Sequence, residues 1–402
     1  MEVSGRIPAS VLQLLIPQPR PPSTSVDRKQ EQNKKGASAA LLQEDDQLQI
    51  IKKHDLQILK EVGQGFYGSV YLGKWKGSPV AAKLINSHNV LAKKIKLKEV
   101  MESFWDEARI LARLNHPNII GFYGVIMDGP EILLATVSEY MIDGALSDVL
   151  MASSSLGRVL DWWTRIRIAR DVALGMEYLH ANNVVHFDIK SDNIFVNLRD
   201  AQHPVSKIGD FGLSGPLNSK KLVCTGGHGR GTLQWMAPEL LTGRPLFATE
   251  KLDVYSFGIL MWEMLTGELP YKNVDRDLIK RGVAMGELRP QVPSWCDPQW
   301  RSIMEECWSQ EPTERPSFTE IVCDLQYLLA RYSFRPQQVI GRQRVIRPRE
   351  LVKPTQQVEV GLPPLPASAI DEINRRIAAL PLGRDVLGYQ GCPPPYQLFP
   401  QI

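Results

Sequence analysis

The order of the hydrophobic patterns along the chain limits its fold more strongly than any other feature. Residues 56–84 alternate between apolar and polar positions, are rich in β-branched and aromatic side chains, and predict a series of antiparallel strands. A further strand is predicted at residues 132–140, whereas residues 98–114 and 161–180 carry apolar side chains at helical intervals. Residues 252–265 are nearly all apolar, which is typical of a helix buried on every side. Because strands come first and helices follow, the sequence predicts a segregated α+β fold and not a doubly wound one.

The composition is that of a soluble globular protein. With 402 residues, of which 43% are hydrophobic and 23% charged, the chain can hold one large two-lobed domain or two ordinary domains. The net charge of +3 is small for this length, so no nucleic-acid binding is expected. The five cysteines lack metal-ligand spacing, and no stretch approaches the roughly 20 apolar residues of a membrane span. We therefore expect reduced thiols, no transmembrane segment and a cytoplasmic location, with the nucleus as the alternative.

Three segments of different composition divide the chain. Residues 1–48 are rich in Pro, Ser and Lys and bury too little apolar surface to offset the entropy of ordering, so a disordered tail is expected there. The periodic sequence predicts one domain at residues 49–331. Residues 332–402 are first basic and then proline-rich, and a second, mostly disordered tail is expected. Within it, residues 370–380 predict a short helix that either docks a partner or packs on the domain.

A glycine-rich run with the spacing GxGxxGxV lies between two strand patterns. Its members are Gly63, Gln64, Gly65, Phe66, Tyr67, Gly68, Ser69 and Val70. Glycines let a turn come close to phosphates and offer backbone N–H groups without a Cβ in the way. Such a run also occurs in plain hairpins, and a similar one opens dinucleotide-binding units. Here a strand follows and not a helix, which disfavours the dinucleotide interpretation.

Lys83 ends the next strand pattern in an otherwise apolar run. A lysine is costly to bury unless it is paired or aimed at a ligand. Glu107, on the helical stripe that follows, is the expected partner, and Glu99 and Glu102 are the rival partners. The alternative interpretation of Lys83 is a lysine at the solvent-exposed end of a strand.

Two motifs carry the strongest chemical signal. Residues 186–193 contain Asp188, Lys190 and Asn193, and the triplet at residues 210–212, Asp-Phe-Gly, follows about one short hairpin later. Together they supply a base, a cation and two metal-ligand side chains on neighbouring loops. Transfer of a phosphoryl group from a magnesium nucleotide to a hydroxyl needs these groups, because the chemistry depends mostly on positioning and charge neutralisation.

These motifs, taken with those upstream, resemble the eukaryotic protein kinases over about residues 54–331. The resemblance implies a bilobal α+β fold. Its small lobe, about residues 54–139, would have a five-stranded antiparallel sheet and one main helix, and its larger lobe, about residues 142–331, would be mostly helical. The mixture of serine/threonine-kinase and tyrosine-kinase features is similar to the tyrosine-kinase-like group. Within it the chain resembles the plant Raf-like MAP kinase kinase kinases at residues 74–77, 122–125, 186–188 and 231–241.

The resemblance implies an ATP site between the lobes. Lys83 would grip the α- and β-phosphates, and Glu107 would hold Lys83. Ser138 would be a small gatekeeper that leaves a back pocket open. The full implied ATP-binding set is Gly63, Gln64, Gly65, Phe66, Tyr67, Gly68, Val70, Ala81, Lys83, Ser138, Glu139, Met141 and Phe195. In this set, backbone groups of Glu139 and Met141 would meet the adenine, and Phe195 would form a bulkier floor than the usual leucine.

The resemblance also implies the roles of the catalytic residues. Asp188 would accept or orient the proton of the substrate hydroxyl, and Lys190 would steady the transferred phosphoryl group. Asn193 and Asp210 would hold Mg²⁺, with Mn²⁺ as an alternative. Lys190 also matches the serine/threonine pattern. The structural residues implied are the stacked column His186, Phe211, Leu111 and Phe122, the ion pair of Glu239 with Arg315, and the loop anchor Asp253.

The residue before the catalytic aspartate departs from the family pattern. Phe187 occupies the position where an arginine commonly holds a phosphate of the activation segment, so about one to three charge-assisted hydrogen bonds are lost to that switch. We expect phosphorylation of Ser219 or Thr225 to be read by another cation, unless these hydroxyls are merely solvated. Thr232 matches the activation-segment threonine that contacts the base and the lysine in serine/threonine kinases.

The partners expected from the resemblance are protein substrates, downstream kinases among them. Residues 393–396, Pro-Pro-Pro-Tyr, match a WW-domain ligand, and residues 17–22 and 363–366 fit SH3-type grooves. The alternative interpretation of these stretches is linker without a partner. A pseudokinase or scaffold that acts mainly by docking is the alternative function, but every catalytic position carries the expected residue, which favours the enzyme.

Overall fold

A six-stranded sheet forms the first part of the fold, and its alternating pattern buries one set of side chains against a helix. The computed structural model describes residues 48–64, 68–85, 97–128, 133–155, 160–200, 202–217, 231–243 and 249–333. The strands are β1 (Ile50–Ile51), β2 (Leu56–Gln64), β3 (Gly68–Trp75), β4 (Ser78–Ile85), β5 (Phe122–Asp128) and β6 (Leu133–Glu139). They lie in the order β1-β5-β6-β4-β3-β2.

The five long strands are antiparallel to their neighbours, as the sequence predicts, and the sixth strand is a correction to the expected count of five. This strand, β1, has two residues and pairs in parallel with β5. Gly124 makes the pairing possible: its φ is +147°, and a Cβ there would lie 2.2 Å from the carbonyl oxygen of Gln49. Two apolar residues are too short for an alternating pattern, so the sequence does not reveal this strand. The α+β class itself is confirmed.

Helix α1 (Leu97–Arg113) packs against the sheet, in agreement with the helix predicted at residues 98–114. Its apolar stripe includes Val100, Phe104 and Ala108, which are buried. Glu107 lies beside this stripe and is also buried. The position of α1 against the sheet therefore carries a carboxylate towards β4, the strand that contains Lys83.

The second part of the fold is mostly helical. Its helices are α2 (Leu146–Ser155), α3 (Trp162–Ala181), α4 (Pro238–Leu241), α5 (Lys251–Thr266), α6 (Arg276–Ala284), α7 (Pro298–Cys307) and α8 (Phe318–Ser333). Two small antiparallel sheets, β7 (Val184–Val185) with β10 (Gly215–Pro216) and β8 (Ile194–Asn197) with β9 (Val205–Ile208), complete it. None of the described helices is long and apolar enough to cross a bilayer.

Helix α5 is the centre of the helical part. Every residue from Leu252 to Leu265 is buried, which confirms the prediction of a helix enclosed on all sides. It packs against α3, α7 and the 3₁₀ segment Leu233–Trp235. Two acids, Asp253 and Glu263, are buried in this apolar surrounding and need hydrogen-bond partners there.

The apolar core extends from α1 in the small lobe into the helical lobe. Leu111 and Phe211 belong to one buried cluster, and Phe122 packs against it. The His186 ring stands edge-on to Phe211 with ring centroids 5.1 Å apart. His186 is fully buried, and its Nε2 lies 3.1 Å from the carbonyl oxygen of Gly209. These contacts give His186 a structural position in the core.

Candidate active site

Lys83 lies at the centre of a three-residue ionic cluster. Its Nζ is 2.9 and 3.1 Å from the two carboxylate oxygens of Glu107 and 2.9 Å from Asp210 Oδ1. Glu107 is thus the acid that meets Lys83, whereas the rival Glu102 is exposed and the side chain of Glu99 lies outside the described ones. Burial alone would lower the pKa of Lys83, but the two carboxylates outweigh it and raise the pKa above its ordinary value. The ammonium group therefore stays charged.

Asn193 and Asp210 are brought together by a backbone hydrogen bond between their loops. The N–H of Gly209, directly before Asp210, donates to the carbonyl oxygen of Asn193 at 2.9 Å. Asn193 Nδ2 donates to the carbonyl oxygen of Asp188 at 2.7 Å and to its Oδ2 at 3.0 Å, so the amide oxygen is the atom left for a ligand.

The same two residues fit a hard divalent cation. Burial would raise the pKa of Asp210, but the charge of Lys83 outweighs it and holds the pKa below its ordinary value. An ionised carboxylate and an amide oxygen on adjoining loops are the donors that Mg²⁺ and Mn²⁺ take. Asn193 is buried, whereas the Asp210 side chain is 47% exposed.

Asp188, Lys190 and Thr232 form a triangle beside the ionic cluster. Thr232 Oγ1 donates to Asp188 Oδ1 at 2.7 Å, and Lys190 Nζ donates to Thr232 Oγ1 at 2.6 Å. Lys190 Nζ also lies 2.9 Å from Asp188 Oδ2. Thr232 thus joins Asp188 and Lys190, which share one loop, to the segment that begins at residue 231.

Asp253 holds the start of the catalytic loop from below. Its carboxylate accepts hydrogen bonds from the backbone N–H groups of His186 and Phe187, each at 2.8 Å, and it lies 3.0 Å from His180 Nε2. Phe187 has φ +68°, a left-handed conformation that costs about 1–3 kcal/mol for a bulky residue. Two hydrogen bonds to a fully buried carboxylate hold this strained residue in place, directly before Asp188.

The residues expected around an adenine lie on β3, β4 and β6 and just after β6. Val70 is the register partner of Lys83, and Ala81 is the register partner of Ser138. Met141 is buried, and its carbonyl oxygen accepts a hydrogen bond from the Gly144 N–H at 3.2 Å.

Glu139 is fixed by three hydrogen bonds. Its N–H donates to the Gly121 carbonyl oxygen at 2.7 Å, and its carboxylate accepts from the Gly121 N–H at 3.1 Å and from Lys207 Nζ at 2.8 Å. Lys207 belongs to β9 of the helical lobe, so the ion pair braces the connection between the lobes.

Phe195, the residue expected to form the floor of the adenine site, packs its aromatic ring on a glycine. A Cβ at Gly209 would lie 2.7 Å from Cε2 of Phe195, closer than real Cβ contacts come. The unusual bulk of Phe195 is therefore accommodated because residue 209 has no side chain.

Glu239 and Arg315 form the buried ion pair that the resemblance implies. Two parallel hydrogen bonds join them, at 2.7 and 2.8 Å, and the Arg315 side chain is fully buried. The guanidinium also donates to the carbonyl oxygens of Lys251 and Ser309 and lies 5.2 Å from the Tyr255 ring centroid. The pair ties the segment after Thr232 to the end of the domain.

The remaining candidate residues lie at the edge of the described structure or outside it. Gly63 and Gln64 end β2 and Gly68 begins β3, so they flank the tip of the glycine-rich hairpin. Gly65, Phe66 and Tyr67 lie outside the described residues, as do Ser219 and Thr225. The proline-rich stretches and the helix expected at residues 370–380 also lie outside them.

Comparison with known proteins decides the family. A family model described as protein tyrosine and serine/threonine kinase matches residues 56–325. The chain belongs to the protein kinase family. The kinase is 34% identical over 296 residues to the probable serine/threonine-protein kinase drkD of Dictyostelium discoideum, covering 73% of this chain and 21% of the relative.

Other relatives support placing the kinase in the tyrosine-kinase-like group. It is 36% identical over 286 residues to mitogen-activated protein kinase kinase kinase 13-A of Xenopus laevis, covering 71% of this chain and 26% of the relative. It is 35% identical over 282 residues to mitogen-activated protein kinase kinase kinase 12 of Rattus norvegicus, covering 70% of this chain and 28% of the relative. The matched region thus spans about a quarter of the length of these relatives.

Several residues around the site were missed from the sequence. Lys207, Gly209 and Ser191 carry no chemical signal of their own, and their importance comes from what they touch. Gly209 directly precedes the Asp210 motif, and that adjacency is the available sequence signal. Glu263 offers a stronger one, since an acid in a nearly all-apolar helix needs a partner.

Proposed function

We propose that the chain is a serine/threonine protein kinase that transfers the γ-phosphoryl group of Mg-ATP to protein hydroxyls. The observation that carries the proposal is the convergence of two charged clusters, Lys83–Glu107–Asp210 and Asp188–Lys190–Thr232, joined through Asn193. Asn193 and Asp210 would hold the magnesium ion, which would supply positive charge that neutralises the phosphate oxygens. The domain limits proposed for this activity are residues 49–331.

The side chains of the two clusters divide the work of binding and transfer. Lys83, held by Glu107, offers a fixed cation to the α- and β-phosphates. Asp188 lies within hydrogen-bond reach of a hydroxyl placed beside Thr232 and orients or accepts its proton. Lys190 lies beside Asp188 and Thr232 and balances the negative charge that develops on the transferred phosphoryl group. Because hydrogen bonds within the protein hold these side chains in one arrangement, little reorganisation is needed during the reaction.

The choice of serine and threonine as acceptors rests on Thr232. Its hydroxyl bridges Asp188 and Lys190. The printed names of the relatives, serine/threonine-protein kinases and MAP kinase kinase kinases, support this choice. They also support the proposal that other protein kinases are among the substrates.

The test is phosphate transfer by the full chain from γ-labelled ATP and magnesium to itself and to a general protein substrate. Asp188→Asn should lower the rate by about 10²–10⁴-fold, because general-base assistance is removed, while the hydrogen bond from Asn193 to the backbone carbonyl of residue 188 remains. Lys83→Met should abolish transfer through loss of the phosphate-binding cation. Asp277→Asn is the matched control, since Asp277 is 81% exposed on α6. Equal incorporation by wild type and Asp188→Asn would remove the proposed function.

Acceptor identity needs a separate measurement. Acid hydrolysis of the labelled product should yield phosphoserine and phosphothreonine, and an inactive MAP kinase kinase offered as substrate should be labelled on the same residue types. Phosphotyrosine as the main product would contradict the acceptor assignment while leaving kinase activity standing.

The location and the tail partners rest on the sequence alone. A cytoplasmic protein, with the nucleus as the alternative, is our proposal, as is recruitment of WW-type or SH3-type domains by the proline-rich stretches. A pull-down by residues 332–402, repeated with Tyr396→Ala, tests the WW-type contact, and its failure would leave the catalytic proposal unaffected.

A further inference from the structure

Glu263 is a buried acid with no part in the transfer chemistry described above. It lies in α5 beneath the site and is 5% exposed. The hydroxyl of Ser191, which is fully buried, donates to Glu263 Oε1. Ser191 directly follows Lys190, so the Glu263 carboxylate binds the residue next to the cation of the catalytic loop. Burying a carboxylate is costly unless hydrogen bonds offset the loss of water, and this one has a specific partner.

The segment that carries Thr232 also packs against α5. The indole of Trp235, in the 3₁₀ segment Leu233–Trp235, lies near enough to lower the pKa of the carboxyl. Within the described residues, neither Glu263 Oε2 nor Trp235 Nε1 completes a hydrogen bond of ordinary geometry. A second residue of α5 holds this segment, because Ser256 Oγ donates to the Trp235 carbonyl oxygen at 2.8 Å.

Glu263 therefore contacts both loops that build the catalytic triangle. One loop brings Asp188 and Lys190 and continues into Ser191. The other brings Thr232 and continues into Trp235. If either loop moved relative to α5, the distances of 2.6–2.9 Å within the triangle would not be kept.

We propose that Glu263 is a positioning residue for phosphoryl transfer, which clamps the Ser191 loop and the Trp235 segment to α5 so that Thr232 meets Asp188 and Lys190. The inference rests on the proposed kinase function and deepens it. It assigns Glu263 no contact with nucleotide or acceptor. Its effect is on the alignment of the triangle, where small displacements are costly to catalysis.

The charge of Glu263 gives this role a signature that a simple packing residue lacks. Burial raises the pKa of Glu263 from 4.5 to about 7, and the nearby charge of Asp192 adds to the rise. The O–H and N–H of Ser191 and the Trp235 indole act in the opposite direction. Above this pKa the charged carboxylate accepts strongly from Ser191, whereas below it the carboxyl carries a proton and loses acceptor strength. The clamp is therefore tighter on the alkaline side of neutrality.

The experiment measures kcat and KM for ATP between pH 6 and 8.5 for the full chain and four variants. Glu263→Ala removes the clamp and Ser191→Ala removes its first partner. Glu263→Gln keeps the shape and one carbonyl oxygen that can accept from Ser191, but it cannot titrate. Glu268→Gln is the matched control, since Glu268 is exposed just beyond the end of the same helix. Ionisation of ATP is common to all variants and cancels in ratios to this control.

The expected result is a split between kcat and KM. Glu263→Ala should lower kcat about tenfold or more, with KM for ATP within roughly threefold of the control. Ser191→Ala should lower kcat in the same direction. The kcat of wild type, divided by that of the Glu268→Gln control, should rise with pH around a midpoint near 7. For Glu263→Gln the same ratio should stay at the low-pH value of wild type throughout.

Two results would overturn the inference. One is a kcat of Glu263→Ala equal to that of the control. The other has two parts. The loss of kcat in Glu263→Ala and Ser191→Ala merely follows the fraction of molecules able to bind nucleotide, and Glu263→Gln shows the same pH profile as wild type. Either outcome, with active wild type and silent Asp188→Asn, leaves the kinase function standing. An inactive wild type would instead defeat the proposed function itself.

Discussion

A methyl group at Gly209 should damage the nucleotide site through Phe195, although it adds nothing to the chemistry. The Cβ of Gly209→Ala would lie 2.7 Å from Phe195 Cε2 and 2.9 Å from its Cδ2. The backbone of residue 209 cannot easily retreat, because its N–H is bonded to Asn193 at 2.9 Å. The strain therefore falls on the ring, which is displaced towards the space assigned to the adenine.

The size of the effect follows from the overlap. Overpacking by one methyl group costs about 1–3 kcal/mol. If the displaced Phe195 ring occupies adenine space, the same free energy appears as roughly 5- to 150-fold weaker nucleotide binding. Phe195→Leu removes the atoms that clash, so the double variant Phe195→Leu with Gly209→Ala should bind nucleotide about as well as Phe195→Leu alone.

Titration calorimetry with a nonhydrolysable ATP analogue measures this cycle in four proteins. We expect a coupling free energy of about 1–3 kcal/mol between positions 195 and 209, within the range seen for residues in contact. The melting temperature of each protein, taken in parallel, separates loss of binding from loss of folding. If Gly209→Ala binds as tightly as wild type, or Phe195→Leu fails to rescue it, the assignment of Phe195 as the floor is wrong.

Three further changes have defined outcomes. Glu239→Ala leaves the fully buried Arg315 guanidinium without its carboxylate, so urea denaturation should show the free energy of unfolding lowered by about 3–5 kcal/mol; a loss below 1 kcal/mol would show that the pair is not structural. Because the folded pKa of Glu263 is raised from 4.5 to about 7, its proton stabilises the fold below pH 4.5 and this stabilisation disappears as the pH rises through 7. A pKa difference of about 2.5 is worth about 3 kcal/mol. The free energy of unfolding of wild type, relative to that of Glu263→Gln, should therefore fall by up to this amount between pH 4.5 and 7. Parallel plots of unfolding free energy against pH for the two proteins would refute this. Thr232→Val should lower kcat about tenfold or more with little change in the KM for ATP, because it breaks the hydroxyl bridge between Asp188 and Lys190. An unchanged kcat would show that Thr232 is not part of the site.

The chemistry was predictable because it resides in residues that are close in sequence. Asp188, Lys190 and Asn193 share one loop, and their residue types are the ones that phosphoryl transfer requires. The long helices were equally predictable, since the apolar stripe of α1 and the all-apolar α5 are strong local patterns.

The parts that were missed depend on contacts between distant segments. β1 has two residues, and its pairing with β5 depends on a glycine far along the chain. The fit of Phe195 on Gly209 follows from the pairing of β8 with β9, which no local pattern contains. Glu263 meets Ser191 across 72 positions of sequence. Hydrophobic periodicity predicts which face is buried but not which polar groups meet there.

Magnesium-dependent nucleotide binding tests the central claim most directly, since Asn193 and Asp210 are held to converge on one divalent cation. Wild-type protein should bind a nonhydrolysable ATP analogue roughly tenfold or more tightly with magnesium than without, a difference of about 1.4 kcal/mol or greater. Asp210→Asn should lose this dependence, and Asp277→Asn should keep it. Equal affinity of wild type with and without magnesium, or an unchanged magnesium dependence in Asp210→Asn, would contradict the account.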